Sequence, residues 1–207
     1  MKVREPLPIR RTAPTKSPKE GKWAKHKPDL CQDFHSHCGY CGSYDGYRHT
    51  WYEVDHFIPK SLLDGKISNV EYSNLVYSCK FCNNTKLAKW PTNDINIPNH
   101  NDQGFVDPCN EDYDNHLYRT NDGSIMWKTD LGKWMWEIAF KFDERNYAIK
   151  LLWEVNQIRK IILKYAKELS KMNIHSEEYK LVHTKAGDLS FKYVLVHNEL
   201  MNHYNSL

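Results

Sequence analysis

The sequence has no long hydrophobic run. Its 207 residues are 40% hydrophobic and its mean hydropathy is -0.76. No segment approaches the roughly 20 consecutive apolar residues that span a membrane. The opening residues Met1-Lys2-Val3-Arg4 are not followed by the apolar stretch of a secretory signal. These absences exclude an integral membrane protein and predict a soluble, cytoplasmic chain.

The sequence also has little excess charge, because the net charge is only +3. The excess is local: residues 1–28 hold nine Lys or Arg against two Glu, whereas the remainder holds 20 basic and 24 acidic residues. The same segment contains five prolines, which disfavour both helix and sheet. We therefore predict a basic, Pro-rich arm over 1–28, which either contacts phosphates or remains a solvated tail.

Cysteine is scarce, and four of the six cysteines form two Cys-x-x-Cys pairs, Cys38–Cys41 and Cys79–Cys82. In a reducing compartment two such pairs favour a metal site over disulfides. Four thiolates suit a tetrahedral, structural zinc and leave no open coordination position. A redox dithiol, or four unrelated buried thiols, accounts for one pair but not for two. The remaining candidate ligands lack a second matching pair and are interpreted as buried apolar or surface residues: Cys31, Cys109, His35 and His37.

Between the cysteine pairs, "TWYEVDHF" and "NLVYS" are rich in β-branched and aromatic residues and predict two short strands. "NNTKLAKW" after Cys82 predicts a short helix that Pro91 ends. Further on, Asn121-Asp122-Gly123 predicts a hairpin, and alternating apolar residues over 134–142 predict a third strand of a small antiparallel meander. Helical spacing then runs from Asp143 to about Lys171, and Gly187 is expected to separate two further helices, 177–186 and 189–203.

The fold class predicted from these patterns is α+β, with a zinc-stabilised unit, a small β meander and a helical region. The predicted segments are a basic arm at 1–28, a zinc-bound unit at 29–92, a linker and meander at 93–142, and the helical region at 143–207.

The central stretch resembles the ββα-metal fold of HNH nucleases. The resemblance is carried by "CGYCG", "EVDHFIP" and "NLVYSCKFCNNTK", over about residues 38–86. It implies phosphodiester hydrolysis with His56 as the general base, Asn74 orienting the loop and His56, and Asp55 and Asn83 holding a catalytic magnesium or manganese ion. The chain has Asn83 where the His-Asn-His form has its last histidine, which bears on the metal preference. Asn84 is the rival to Asn83, with helix capping as its alternative role.

These residue types suit that chemistry. Hydrolysis needs an activated water and a cation that neutralises charge developing on the phosphate. A neutral imidazole accepts a proton at physiological pH, and Asp and Asn supply hard oxygen ligands. Lys86, on the following helix, is expected either to reach a phosphate oxygen or to be solvated.

The stretch "WAKHKPDLCQDFHSHCGYCG" and the region from "FVDP" to "DGSI" resemble the HNH subunits of Septu-type and retron-associated antiphage systems. That resemblance implies cleavage of phage or host nucleic acid under an ATPase partner, with the helices after Asp143 either docking that partner or covering the meander. Two alternatives remain: a non-catalytic zinc module that binds nucleic acid or protein, and a stand-alone restriction-like nuclease. DNA is favoured as substrate, RNA stays open, and no base-reading motif indicates a sequence preference.

Overall fold

The computed structural model describes residues 1–47 and 49–205, and the chain forms two compact units, Met1–Asn146 and Tyr147–Leu207. No helix in the described ranges is long and apolar enough to cross a membrane. The helices are α1 Lys27–Asp33, α2 Lys60–Leu63, α3 Lys80–Lys86, α4 Tyr113–His116, α5 Asp130–Trp134, α6 Asn146–Leu169 and α7 Glu177–Asn205. The strands are β1 Tyr52–His56, β2 Leu75–Cys79, β3 Asn99–His100, β4 Gln103–Gly104, β5 Leu117–Arg119 and β6 Ile125–Trp127.

The two strands predicted between the cysteine pairs are present as the antiparallel pair β1–β2. Its register places Asp55 opposite Val76 and His56 opposite Leu75. Helix α3 follows β2 directly, so its first residue comes three positions earlier than Asn83, where the sequence predicted the helix to begin. It also ends before Pro91, because Leu87 has a φ of 49°, outside the helical region. The α+β prediction is confirmed at this level, with small antiparallel strand pairs and helices at the C-terminus.

The hairpin predicted around Asn121-Asp122-Gly123 is formed by β5 and β6. The third strand of the meander, predicted over 134–142, is wrong. The chain there is α5 followed by a π-helical stretch, Met135–Ala139. The Thr129 side chain caps α5 by accepting a hydrogen bond from the Gly132 amide (3.0 Å), and Leu131, Met135 and Ala139 are buried at four-residue spacing. The Thr129 cap and the buried stripe favour a helix, and they outweigh the alternation of apolar residues that favours a strand.

Aromatic side chains join the strand–helix unit to the segment after it. The Phe105 ring is fully buried and contacts four other rings, with centroid distances of 5.4–6.4 Å. Two of these rings flank the strand–helix unit, Phe57 and Trp90, and two belong to the later segment, Trp134 and Phe140. The first unit therefore has one continuous core rather than a strand–helix unit with a loose appendage.

Residues 1–22 lack helix and strand, as their prolines indicated, but they lie along the first unit and are tied to it. Each arginine in this stretch pairs with an aspartate: Arg4 with Asp114 (3.0 Å), Arg10 with Asp107 (2.9 Å), and Arg11 with both Asp29 and Asp33. The terminal ammonium of Met1 donates to the Arg119 carbonyl. The arginine charges, expected either to contact phosphates or to lie in a solvated tail, are thus paired with aspartates of the protein itself.

The second unit contains α7 and all of α6 except its first residue, Asn146. Side-chain contacts between the two helices show that they are antiparallel. Lys192 pairs with Glu154 at 2.7 Å, and Tyr147 contacts both Glu199 and His203. The predicted break at Gly187 is wrong, because α7 is continuous through it. A glycine costs a helix about 1 kcal/mol, which the flanking helical residues outweigh. Residues 206 and 207 of the predicted helical region lie outside the described residues.

The buried pair between Arg4 and Asp114 gives a test of the role of the N-terminal segment. Both side chains are almost fully buried, and Asp114 also accepts a hydrogen bond from the Val3 amide. Removing one partner leaves an uncompensated buried charge, so we expect Arg4→Ala to lower the free energy of unfolding by about 3 kcal/mol. Urea denaturation measures it.

The exposed neighbour Lys2 supplies the control. Lys2→Ala should change the free energy of unfolding by less than about 0.5 kcal/mol. Equal stabilities of the Arg4 and Lys2 variants would mean that the N-terminal segment contributes nothing to the fold.

Candidate active site and metal centre

The four predicted cysteines form one buried cluster. Their Sγ atoms all lie within 4.8 Å of one another, and those of Cys41 and Cys79 are 3.8 Å apart. Four sulfur ligands at about 2.3 Å from a zinc ion stand about 3.8 Å from one another in a regular tetrahedron. The donor set and its spacing therefore fit a closed structural zinc site, held by a loop, the end of β2 and the first turn of α3.

The surroundings of the cluster also suit a cation with thiolate ligands. Burial raises the pKa of the Cys38 and Cys82 thiols, so four charged sulfurs are unfavourable there without a metal ion. Ser43 Oγ lies 3.1 Å from Cys41 Sγ, and Arg145 Nη1 donates to Cys82 Sγ at 3.7 Å. These contacts orient the sulfurs from outside the first shell of ligands.

The rival ligands stay outside this cluster. Cys31 and Cys109 are partly exposed, and the four-cysteine cluster is the one group of three or more His, Cys, Asp or Glu side chains placed to hold a metal ion among residues 1–47 and 49–205.

Next to the cluster, α3 packs on β1 and buries an ion pair. Lys86 Nζ lies 3.2 Å from Asp55 Oδ2 and also donates to the His56 carbonyl at 2.7 Å. The Tyr40 hydroxyl donates to the same Asp55 oxygen at 2.5 Å. Burial raises the pKa of Asp55 and lowers the pKa of Lys86, while the opposite charge of each partner counters both shifts. Lys86 is completely buried, so both roles expected for it, at a phosphate or in solvent, are wrong.

His56 lies at the end of β1 with its ring almost buried. Its Nε2 is 2.7 Å from the Asn69 carbonyl, which can only accept, so Nε2 carries the proton of the neutral ring. That tautomer leaves the Nδ1 lone pair available, and no described residue hydrogen-bonds to Nδ1. Burial, followed by the nearby charges of Lys60 and Lys86, lowers the pKa of His56 despite the opposing effects of the Asn69 hydrogen bond and of Asp55. The ring is therefore neutral at physiological pH.

Asn74 lies directly before β2 and holds the turn after His56. Its Oδ1 accepts from the Ile58 amide at 2.8 Å, its Nδ2 donates to the Ile58 carbonyl at 3.1 Å, and its own carbonyl accepts from the Phe57 amide at 2.8 Å. Three hydrogen bonds to two consecutive residues fix where His56 leaves the strand. This is a contact of the kind that the family resemblance implied for Asn74.

Asn83 lies one helical turn before Lys86, on the same face of α3. Its Nδ2 donates to Glu53 Oε2 at 2.6 Å. Because that bond uses the amide nitrogen, it orients the carbonyl oxygen Oδ1 as the remaining acceptor. Asn84 is exposed in mid-helix, and the residue before α3, Cys79, makes no side-chain cap, so the capping role expected for Asn84 is wrong.

The structure brings three of the four predicted catalytic side chains to one open cleft of about 770 Å³. Asp55, His56 and Asn83 line it, whereas Asn74 acts from behind the turn. The other lining residues are Trp23, Ala24, Lys27, Tyr52, Glu53, Val54, Pro59, Lys60, Ser61, Asn84, Leu87 and Ala88.

Three residues at the site were missed by the sequence patterns. Glu53 had a signal, since it precedes Asp55 by two positions and so shares its face of the strand. Tyr40 had none, because it lies inside a cysteine pair that indicated only metal binding. Trp23 belongs to the predicted arm, yet its ring packs edge-on against His56, with centroids 5.1 Å apart.

The cysteine cluster predicts about one zinc ion per purified chain. Cys79→Ser should lower thermal stability and zinc content together, because metal binding energy contributes to folding energy at such a site. Cys109→Ser is the matched control, since Cys109 lies outside the cluster, and it should keep its zinc. Elemental analysis and thermal melting check both variants; an intact, folded wild-type sample without zinc would contradict the assignment.

Comparison with known proteins gives one family. Searches against curated proteins and against solved structures found no match. Residues 38–89 match the family model described as HNH endonuclease. This match covers both cysteine pairs, β1, β2 and α3, and it supports the HNH family for the part of the chain that holds Asp55, His56 and Asn83.

Proposed function

We propose that the chain is a metal-dependent endonuclease that hydrolyses phosphodiester bonds of nucleic acid. The observation that carries the proposal is the His56 imidazole, held neutral by burial with Nε2 committed to a carbonyl, in the same cleft as the oxygen donors of Asp55 and Asn83. A scaffold that binds without catalysis has no need of this combination. The family match supports the same activity.

His56 is the general base in this proposal. Nδ1 takes a proton from a water molecule as the water oxygen attacks phosphorus, the bond from phosphorus to the leaving oxygen breaks, and the leaving oxygen takes a proton from solvent. Asn74 fixes the backbone that carries the ring, and the Asn69 carbonyl fixes the ring itself. A base in hydrogen-bond reach of its water typically contributes about 10²–10⁴-fold to the rate.

Asp55 and Asn83 are the proposed ligands of a catalytic magnesium or manganese ion. Their donor atoms fit such an ion: hard oxygens, few in number, facing a cleft with room for water. When bound, the ion neutralises charge developing on the phosphate. Glu53 holds the Asn83 amide in the orientation that presents Oδ1.

Lys86 and Tyr40 serve Asp55 rather than the substrate. Burial alone favours a protonated, uncharged Asp55, which is a poor ligand for a cation. The ammonium of Lys86 at 3.2 Å and the hydroxyl of Tyr40 oppose that shift and favour the ionised carboxylate. Lys86 is thus a positioning residue, acting through Asp55.

The finer parts of the proposal rest on sequence resemblance. These are a preference for DNA over RNA and a role as effector of an antiphage system with an ATPase partner. Of the residues that carry the second resemblance, Trp23 and Lys27 line the cleft, which gives them a use within this chain. The purified chain alone is therefore the right starting material for testing cleavage.

His56→Ala should lower the rate of metal-dependent cleavage of a DNA or RNA oligonucleotide by about 10²–10⁴-fold, with little change in melting temperature or zinc content. His100→Ala is the control, because His100 is exposed on β3 and should leave the rate unchanged. A folded His56→Ala protein that cuts at the wild-type rate would remove the histidine from the mechanism.

Lys86→Met should shift the acidic limb of the pH–rate profile upward by about one pH unit. Loss of the ammonium raises the pKa of Asp55 and of His56, and both groups must be deprotonated to act, so activity is lost at a higher pH than in the wild type. Lys86→Arg keeps the charge and should restore the limb. Lys80→Met, at an exposed position of the same helix, should leave it in place. An unshifted limb in a folded Lys86→Met protein would mean that Lys86 only fills space.

A further inference from the structure

The basic residues of the N-terminal segment fall into two classes. The arginines among residues 1–28 each pair with an aspartate, as described above. None of the lysines in this segment forms an ion pair with a residue in the described ranges, and Lys16 and Lys25 are exposed. The net charge of the segment includes both classes, but only the lysines remain available to bind an anionic ligand.

Three of these lysines line one groove. The groove has a volume of about 720 Å³, and Lys16, Lys25 and Lys27 border it together with Pro28 and Tyr77. No carboxylate of the described residues lines it. A concave surface with positive charge attracts a polyanion, because its shape focuses the field of the charges.

The groove adjoins the candidate active site. Ala24 and Lys27 line both the groove and the cleft that contains His56. Lys27 begins α1, and Lys25 lies in the 3₁₀ turn Trp23–His26 just before it. A chain with a phosphate in the cleft and its next phosphates in the groove would therefore meet one continuous surface.

The arginine pairs keep this surface in place. Arg11 is bonded to Asp29 and Asp33 of α1, and the Thr15 amide donates to Asp29 at 2.7 Å, which fixes the chain next to Lys16. On the other side, Glu20 accepts from the Asn69 amide at 3.0 Å, and the carbonyl of Asn69 holds His56. The groove is thus built on the same contacts as the catalytic histidine.

The aromatic ring of Trp23 lines the cleft, next in sequence to Ala24, which lines both the cleft and the groove. Trp23 is half-buried; its edge contacts the His56 ring, and Lys60 Nζ lies 4.2 Å from its ring centroid. A ring beside a proposed scissile phosphate, flanked by lysines, is the arrangement that stacks a base without selecting its identity.

We propose that a single strand of nucleic acid leaves the cleft along this groove, with its phosphates neutralised by Lys27, Lys25 and Lys16 and the base next to the scissile phosphate stacked on Trp23. The inference rests on the proposed nuclease function and names the part of the substrate that the site holds. It predicts binding to a strand rather than to a particular sequence, because no base-edge contact is required.

The first experiment uses the full chain carrying His56→Ala, so that binding is measured without cleavage. The groove variant replaces Lys16, Lys25 and Lys27 with glutamine, and the control replaces three exposed lysines of the same unit, Lys2, Lys66 and Lys133, giving the same net charge. Binding to single-stranded DNA and RNA oligonucleotides is measured over a series of salt concentrations. The slope of log affinity against log salt should fall by about 2 in the groove variant and by far less in the control.

Equal slopes in the two triple variants would contradict the proposed role of the groove in binding the strand. A shift for only one of the two oligonucleotides would assign it to DNA or to RNA and support it. Wild-type cleavage is a separate measurement: its absence under magnesium and manganese would overturn the nuclease function, whatever the slopes.

Trp23→Ala in the same background should weaken single-strand binding by about tenfold, and Trp23→Phe should keep most of the affinity. Trp51 is the matched control, since it is 76% exposed and does not line the cleft, and Trp51→Ala should bind as its parent does. Equal affinity of the Trp23→Ala and Trp51→Ala proteins would overturn the stacking role.

Discussion

The site depends on four buried thiols that must be held together. Their sulfurs lie within 4.8 Å of one another, and burial raises the pKa of the Cys38 and Cys82 thiols, so a bound cation would stabilise four thiolates there. The cluster connects the loop after α1, the end of β2 and the first turn of α3. Tyr40, between two of the cysteines, donates to Asp55, so the position of the metal-ligating loop is transmitted to the cleft by one hydrogen bond. A small antiparallel strand pair and a seven-residue helix have little core of their own, which is why a staple of this kind matters here.

Next to the cysteine cluster, polar contacts set the orientation and the charge of the side chains in the cleft. The His56 ring is oriented by one carbonyl, its backbone by Asn74 and Lys86, and Asp55 by Lys86 and Tyr40. Of these partners, Asn74, Lys86 and Tyr40 are buried and Asn69 is half-buried. In a buried site, a polar group that loses its partner destabilises the protein by more free energy than the hydrogen bond contributes. Few other side chains at these positions are therefore compatible with the fold. Burial keeps the imidazole neutral, and Lys86 and Tyr40 favour the ionised carboxylate. These are the protonation states that hydrolysis requires.

The N-terminal segment shows how one composition can serve two purposes. Its arginines form multiple, directed hydrogen bonds with aspartates, and its lysines remain flexible point charges at the surface. The arginine contacts fix the path of a chain that has no helix or strand of its own, and that path defines the basic groove next to the cleft. The fold and the proposed substrate path therefore depend on the same segment, the fold through its arginines and the substrate path through its lysines.

The sequence by itself determined the features that arise from local chemistry. The two cysteine pairs, the strand pair with His56 at its end, the hairpin at Asn121-Asp122-Gly123 and the α+β class follow from spacing, β-propensity and turn residues, none of which needs a distant partner. Asn83 and Asp55 were named from the family pattern, and both line the cleft. The helix over 134–139 was missed, since alternating aromatics mimic a strand when the cap and the buried stripe are not weighed together.

Only the tertiary structure decided which charges are buried and which face solvent. Lys86 has an ordinary helical context in sequence, and its burial against Asp55 follows from the packing of α3 on β1. Arg4 lies 110 residues from its aspartate in the sequence, and Arg10 lies 97 residues from its own. Arg11 lies 18 and 22 residues from its two aspartates. Such pairs form because burial of one charge is unfavourable until the chain brings its counterion to it, and that choice of partner is made by the whole fold rather than by any window of sequence.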